Sequence, residues 1–178
     1  MKFLDDIKAM LDAPMRIEHR KRVVDYVVDD IHKWKALMNL FLDHKWHWRY
    51  NQRAAWSIGV LGRKYPKMIA PYHEQLVETL SNPSHDAQVR NIIRIYEDIV
   101  IPESIEGQLY EKCYGFLSNP QNAIAIRCFS MTVMSKIAEK YPDLRSELVA
   151  EIEEHLPHGS AGFKNRGQKI VNKFKTVS

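Results

Sequence analysis

The chain has 178 residues, 45% of them apolar and 27% charged, with a formal net charge of +4. That is long enough to bury a core without disulfide or metal staples, and the composition excludes disordered, collagen-like and low-complexity classes. Seven glycines and eight prolines are few for this length, which predicts long helices and few strands, and no period-2 alternation bounded by turns points to a sheet. No apolar run reaches the ~18 residues of a membrane span. Asp5 and Asp6 interrupt any leader-like apolar stretch, so a cytoplasmic protein is expected. Cys113 and Cys128 form no Cys-x-x-Cys pattern and read as free thiols buried in a core.

In chain order, residues 2–11 and 15–29 are predicted to form an irregular first helix pair. Ile31 to Leu42 and Trp46 to Tyr65 form the next. Met68, Ile69, Tyr72, Leu76, Val77 and Leu80 recur at three- and four-residue steps, giving one helix that Ser81-Asn82-Pro83 stops. Its partner carries Val89, Ile92, Ile93, Ile95, Tyr96 and Ile99 and is expected to end at Pro102. Residues 103–117 and 124–138 repeat the pattern, and 143–156 with 160–175 close it. Asp43 reads as the cap of the helix that starts near Trp46.

These pairs follow one period. Ser81-Asn82-Pro83 returns as Ser118-Asn119-Pro120, and Arg53, Arg90 and Arg127 share the same 37-residue step, with Arg166 close to the next. Lys64-Tyr65-Pro66 returns as Lys140-Tyr141-Pro142 two periods on. A pair of this length cannot bury its apolar faces alone and must stack on neighbours. The expected architecture is an all-α, right-handed superhelix of four to five helix pairs in one domain. Residues 1–29 would be an N-terminal cap pair, and 30–66, 67–102, 103–142 and 143–178 the repeats.

The segment Gln52-Arg53-Ala54-Ala55-Trp56-Ser57-Ile58-Gly59-Val60-Leu61-Gly62 resembles the second helix of a HEAT repeat, with an Arg, small residues and Gly-x-x-Gly. The resemblance extends over about residues 30–175, and its pattern loosens after the first repeat, where Ile92 and Tyr96 replace Ala55 and Gly59. The tail, Ser130-Met131-Thr132 through Phe163-Lys164-Asn165-Arg166, also resembles small bacterial HEAT-like proteins, some of which carry an adenylosuccinate lyase name. Those lyases are longer and have a Gly-Ser-Ser-x-Met-Pro loop that this sequence lacks.

The resemblance implies a convex layer of first helices and a concave layer of second helices. Charge divides between them: the first helices of the four repeats sum to −7 and the second helices to +10. From His44 to His73 there is no acid, while Lys45, Arg49, Arg53, Arg63, Lys64 and Lys67 interleave with Trp46, Trp48, Tyr50 and Trp56. Arginines beside aromatic rings suit an acidic peptide with apolar anchors, or phosphates and bases. The candidate binding residues are Arg49, Arg53, Trp56, Arg90, Arg94, Arg127 and Lys136. Arg53, Arg90, Arg127 and Arg166 have a second reading, since repeat-equivalent arginines also bond loop carbonyls.

Catalytic patterns are missing from the sequence: no P-loop, no G-x-G-x-x-G, no G-x-S-x-G. His44 with His47, and His155 with His158, lack a third ligand, so neither metal nor cofactor is expected. The basic C-terminal helix reads as a terminal cap on 143–156 rather than a membrane anchor. The expected function is a non-enzymatic binding module for an acidic protein segment. A nucleic-acid binder similar to the HEAT-fold alkylation-repair glycosylases is the alternative. An uncovered end pair leaves a monomer or a weak homodimer through residues 1–29.

Overall fold

Every regular element in the described residues, 2–14 and 16–176, of the computed structural model is helical. No strand occurs among them, as the absence of period-2 alternation in the sequence implies. By their contacts these residues fall into two compact units, 1–99 and 100–178.

The first unit holds α1 (Lys2–Asp12), α2 (Ile17–Val27), α3 (Ile31–Leu42), α4 (Trp48–Lys64), α5 (Pro66–Ile69), α6 (His73–Thr79) and α7 (Asp86–Asp98). Asp30 starts α3 by accepting the His32 backbone N–H at 2.8 Å. α3 then buries Trp34, Leu37, Leu40 and Phe41, and the Trp34 indole N–H donates to the Met68 carbonyl at 3.0 Å. α4 packs against both α2 and α7. It runs parallel to α7: Gln52 meets His85 at its start, and Arg63 meets Asp98 at its end. The close approach needs glycine, because a Cβ on Gly62 would lie 2.8–2.9 Å from the side chains of Ile69 and Ile95.

Three local expectations are corrected here. The single helix expected over 67–80 is broken into α5, a 3-10 turn at Ala70–Tyr72, and α6. Pro71 is the cause: it has no N–H, and its ring displaces the carbonyl one turn back. α7 ends at Asp98, ahead of the Ile101 position that Pro102 disfavours for helix, since Ile99 is already extended (φ −98°, ψ 163°). Asp43 does not cap α4. It follows the end of α3, where its carboxylate accepts the Lys45 N–H, and the α4 cap is His47.

The second unit holds α8 (Glu103–Ser118), α9 (Ile124–Lys140), α10 (Arg145–His155) and α11 (Ala161–Lys175). Glu106 is buried on α8 and accepts bonds from Lys140 Nζ at 2.5 Å and the Tyr141 hydroxyl at 2.8 Å. These bonds tie the start of α8 to the end of α9. Burial opposes the Glu106 charge, but the two donors outweigh it and hold the carboxyl below its ordinary range. Cys113 is buried, and desolvation pushes its thiol up to about 12. Cys128 departs from expectation in being only partly buried. α11 buries Phe163, Ile170, Val171 and Phe174. Lys175 pairs with Glu153 of α10 at 2.6 Å, while Lys173 pairs with Glu139 of α9. The terminal helix therefore acts as a cap fastened to two helices. No helix among the described residues is long and apolar enough to cross a membrane.

Candidate interaction face

Helical spacing decides which α4 side chains face solvent. Ala54, Ala55, Ile58, Leu61 and Gly62 are buried. Arg49 is exposed, and Arg53, Trp56, Val60 and Arg63 follow it at three- and four-residue steps as partly exposed positions. On the parallel α7, Arg90, Arg94 and Asp98 are exposed at the same spacing. Two neighbouring helices of the first unit thus present a face rich in arginine. Arg63 donates from Nη1 to Asp98 at 3.2 Å, so its charge is matched locally.

Arg49, Arg53, Trp56, Arg90 and Arg94 all belong to this unit, whereas Arg127 and Lys136 belong to the second. Arg53 reaches back from Nη1 to the Leu11 carbonyl at 2.5 Å, satisfying the open end of α1. Arg127 is 6% exposed. Its Nε donates to the Leu117 carbonyl at 2.9 Å, and its guanidinium lies 4.9 Å from the Phe163 ring centroid. Burial lowers its pKa, though not enough to discharge a guanidinium. Arg166 donates to the Cys128 carbonyl at 3.3 Å and the Thr132 hydroxyl at 2.8 Å. Three of the four repeat-equivalent arginines therefore hold the backbone, while Arg90 stands exposed. Lys136 is partly exposed on α9.

The aromatic residues of the acid-free stretch are engaged by their own chain. The Trp46 indole N–H donates to Asn39 at 2.9 Å, and Lys8 lies 4.9 Å from a Trp46 ring. The Tyr50 hydroxyl donates to Asp12 at 3.0 Å. Trp48 stacks on His85 at 5.7 Å between centroids with 7° between planes. Arg20 covers Trp56 at 5.9 Å.

Two residues that organise this region had no part in the sequence argument. Asn51 and Gln88 are fully buried, and both donate side-chain N–H groups to the Phe41 carbonyl, at 3.1 and 2.6 Å. They stand one repeat period apart, but they differ in residue type and the next equivalent position is Ala125, so no ladder like that of the arginines marks them. Three of the four histidines weighed as ligands have other bonds: His44 Nδ1 meets the Ser84 hydroxyl at 3.0 Å, His47 Nδ1 accepts the Arg49 N–H, and His155 meets Glu151 at 3.0 Å. Among the described residues no three His, Cys, Asp or Glu side chains group as a metal site. A groove of about 660 Å³ lies elsewhere, between α3 and α6, lined by Lys35, Asp43 and Glu78. Its mixed charge does not select an acidic ligand.

Helix pairs whose second helices pack side by side define a helical-repeat class of protein. The family model of the HEAT repeat domain matches residues 7–174, and the chain belongs to that family. HEAT repeats commonly mediate protein interactions, and the family is typically non-enzymatic. A search of curated proteins and of solved structures finds no match to the chain.

Proposed function

We propose that the chain is a cytoplasmic, non-enzymatic scaffold whose first unit holds an acidic protein segment on the exposed face of α4 and α7. The observation that carries this reading is the placement of Arg49, Arg90 and Arg94 on adjacent parallel helices, with no acid on α4 at all. Such a face draws anionic partners and selects against basic ones. A protein segment fits better than nucleic acid, because the Trp46 and Trp56 rings of the stretch are already covered by Lys8 and Arg20. Base stacking calls for an open ring.

The test is a calorimetric titration with an acidic peptide library pool, read for wild type and for Arg49→Glu with Arg94→Glu. The double variant should bind more than ~10-fold more weakly, since like charges facing each other cost several kcal/mol. Raising salt should weaken the wild type toward the variant. Unchanged affinity would remove the proposed face. Tighter binding to a DNA or RNA duplex, with the steep salt slope of counterion release, would replace the acidic segment by nucleic acid.

A further inference from the structure

The helices that carry this face begin in an unusual way. Helix starts are generally capped by Ser, Thr, Asp or Asn, whose oxygen atoms accept an otherwise unpaired backbone N–H. α3 and α11 follow that habit with Asp30 and Ser160. α4 and α7 do not. His47 precedes α4 and accepts the Arg49 N–H on Nδ1 at 3.2 Å. His85 precedes α7 and accepts the Ala87 N–H on Nδ1 at 3.0 Å.

The two caps belong to one assembly. The Trp48 ring contacts His47 at 5.5 Å and stacks on His85 at 5.7 Å. With Nδ1 accepting, the other ring nitrogen of His85 carries the proton, and it meets the Gln52 side-chain amide of α4 at 3.0 Å, where the amide oxygen is the group that can accept it. Upstream, His44 in the connection before α4 bonds Ser84 in the connection before α7. The starts of two adjacent repeats are thus joined by imidazoles and one indole.

An imidazole caps a helix only while Nδ1 has a free lone pair, whereas a carboxylate or hydroxyl oxygen keeps its lone pairs at every physiological pH. We infer that His47 and His85 form a paired acid-sensitive latch at the start of the α4–α7 face. Protonation removes both acceptors and sets a positive charge at the positive end of each helix dipole. At His47 the neighbouring charges do not offset this, whereas at His85 the adjacent Asp86 offsets it in part. Arg49 on α4 has the same sign and follows directly on His47 and Trp48. On the connection before α4, Lys45 is paired with Asp43 at 2.7 Å. Asp86, first in α7, is the one acid beside either cap in sequence. The latch concerns how the face is held and does not require that an acidic segment bind it.

Amide hydrogen exchange followed by NMR reads the latch directly, after correction for the intrinsic pH dependence of exchange. Between pH 7.5 and 5.5 the protection of the Arg49 and Ala87 N–H groups should fall about 5- to 30-fold, the factor carried by one to two kcal/mol. Amides of Ile58 and Leu61, deep in α4, should change far less. The double variant His47→Asn, His85→Asn keeps an acceptor at both helix starts and should hold its protection across the same range. Constant protection in the wild type, or an equal fall in the asparagine variant, would overturn the latch. The peptide titration above is scored at pH 7.5, where the latch is closed, so the two readings fail independently.

Discussion

The two units are built from the same helix pair but use their charges in opposite ways. In the 1–99 unit the fully buried polar work at the end of α3 is done by neutral amides, Asn51 and Gln88, while Arg53 closes the end of α1 from a partly exposed position. In the 100–178 unit charged groups do it: Arg127 takes the Leu117 carbonyl, and the buried Glu106 takes Lys140 and Tyr141. Lys173 and Lys175 are likewise matched to acids of that unit. The difference teaches what a surplus of arginine means in a repeat protein. Where amides close the backbone, arginines one turn away can face solvent. Where arginine itself closes the backbone, its charge is lost to the surface. Net charge per repeat is therefore a poor guide to a binding face until each guanidinium is traced to its partner.

The sharpest way to break the comparison is to ask whether the units unfold separately. Trp34 is fully buried in the first unit and spends its indole N–H on the Met68 carbonyl. Trp34→Ala opens a large cavity and strands that carbonyl, and should cost about 3–5 kcal/mol. Hydrogen exchange should then show lost protection across α3 to α6 and retained protection in α10 and α11. Equal loss in both would mean that the units share one cooperative transition, and their chemical contrast would have no energetic counterpart.

Acid should separate them next. In the first unit His73 is half-buried, its Nδ1 3.1 Å from the Tyr96 hydroxyl, and burial holds its imidazole below the ordinary value. The unfolded chain then takes up a proton first as pH falls. His73 thus stabilises fully above about pH 6.5 and loses that contribution as pH drops through its lower folded value. In the second unit Glu106 and Glu151 are held below the ordinary carboxylate range by their donors. Their contribution is intact above about pH 4.5 and fades only below it. Exchange measured in the His47→Asn, His85→Asn background should show α6 and the end of α7 around Tyr96, away from Ala87, weakening as pH falls below about 6.5, with α8 to α10 following below about 4.5. His73→Gln should flatten the first response, and Glu106→Gln the second. A single common onset would contradict the assignment.

Much of this architecture was legible in the sequence for a physical reason. Stacked pairs must repeat their apolar spacing and their stops, so Ser81-Asn82-Pro83 and Ser118-Asn119-Pro120 mark equivalent ends of α6 and α8. The arginine positions were legible as a ladder, but their roles were not. The same side chain at one repeat position holds a carbonyl from 53, 127 and 166 and faces solvent from 90, and only the neighbouring backbone distinguishes them. The helix caps were the least legible part. Asp43 has the residue type that caps helices and His47 does not, yet His47 is the cap. A carboxylate at 43 stands too far ahead of Trp48 to reach the first free N–H groups. An imidazole placed directly before the helix is well positioned to do so.

The smallest expected effect sharpens the comparison at single-atom scale. Gly62 in α4 and Gly107 in α8 are both helical glycines, and replacing either by alanine removes the same backbone entropy from the unfolded chain. Their surroundings differ. A Cβ at 62 would press within 2.9 Å of Ile69 and Ile95, whereas a Cβ at 107 meets nothing within 4 Å. Gly107→Ala should therefore stabilise by about 0.5–1 kcal/mol, the ordinary helix-propensity difference, and raise the midpoint of thermal unfolding by a few degrees. Gly62→Ala should lose that gain and more, since forcing a methyl into a filled core costs about 1–3 kcal/mol. Thermal melts of the two variants should move in opposite directions from the wild type. If both rose, α4 and α7 would have room to part, and the face they carry together would be less firmly spaced than the packing at Gly62 implies.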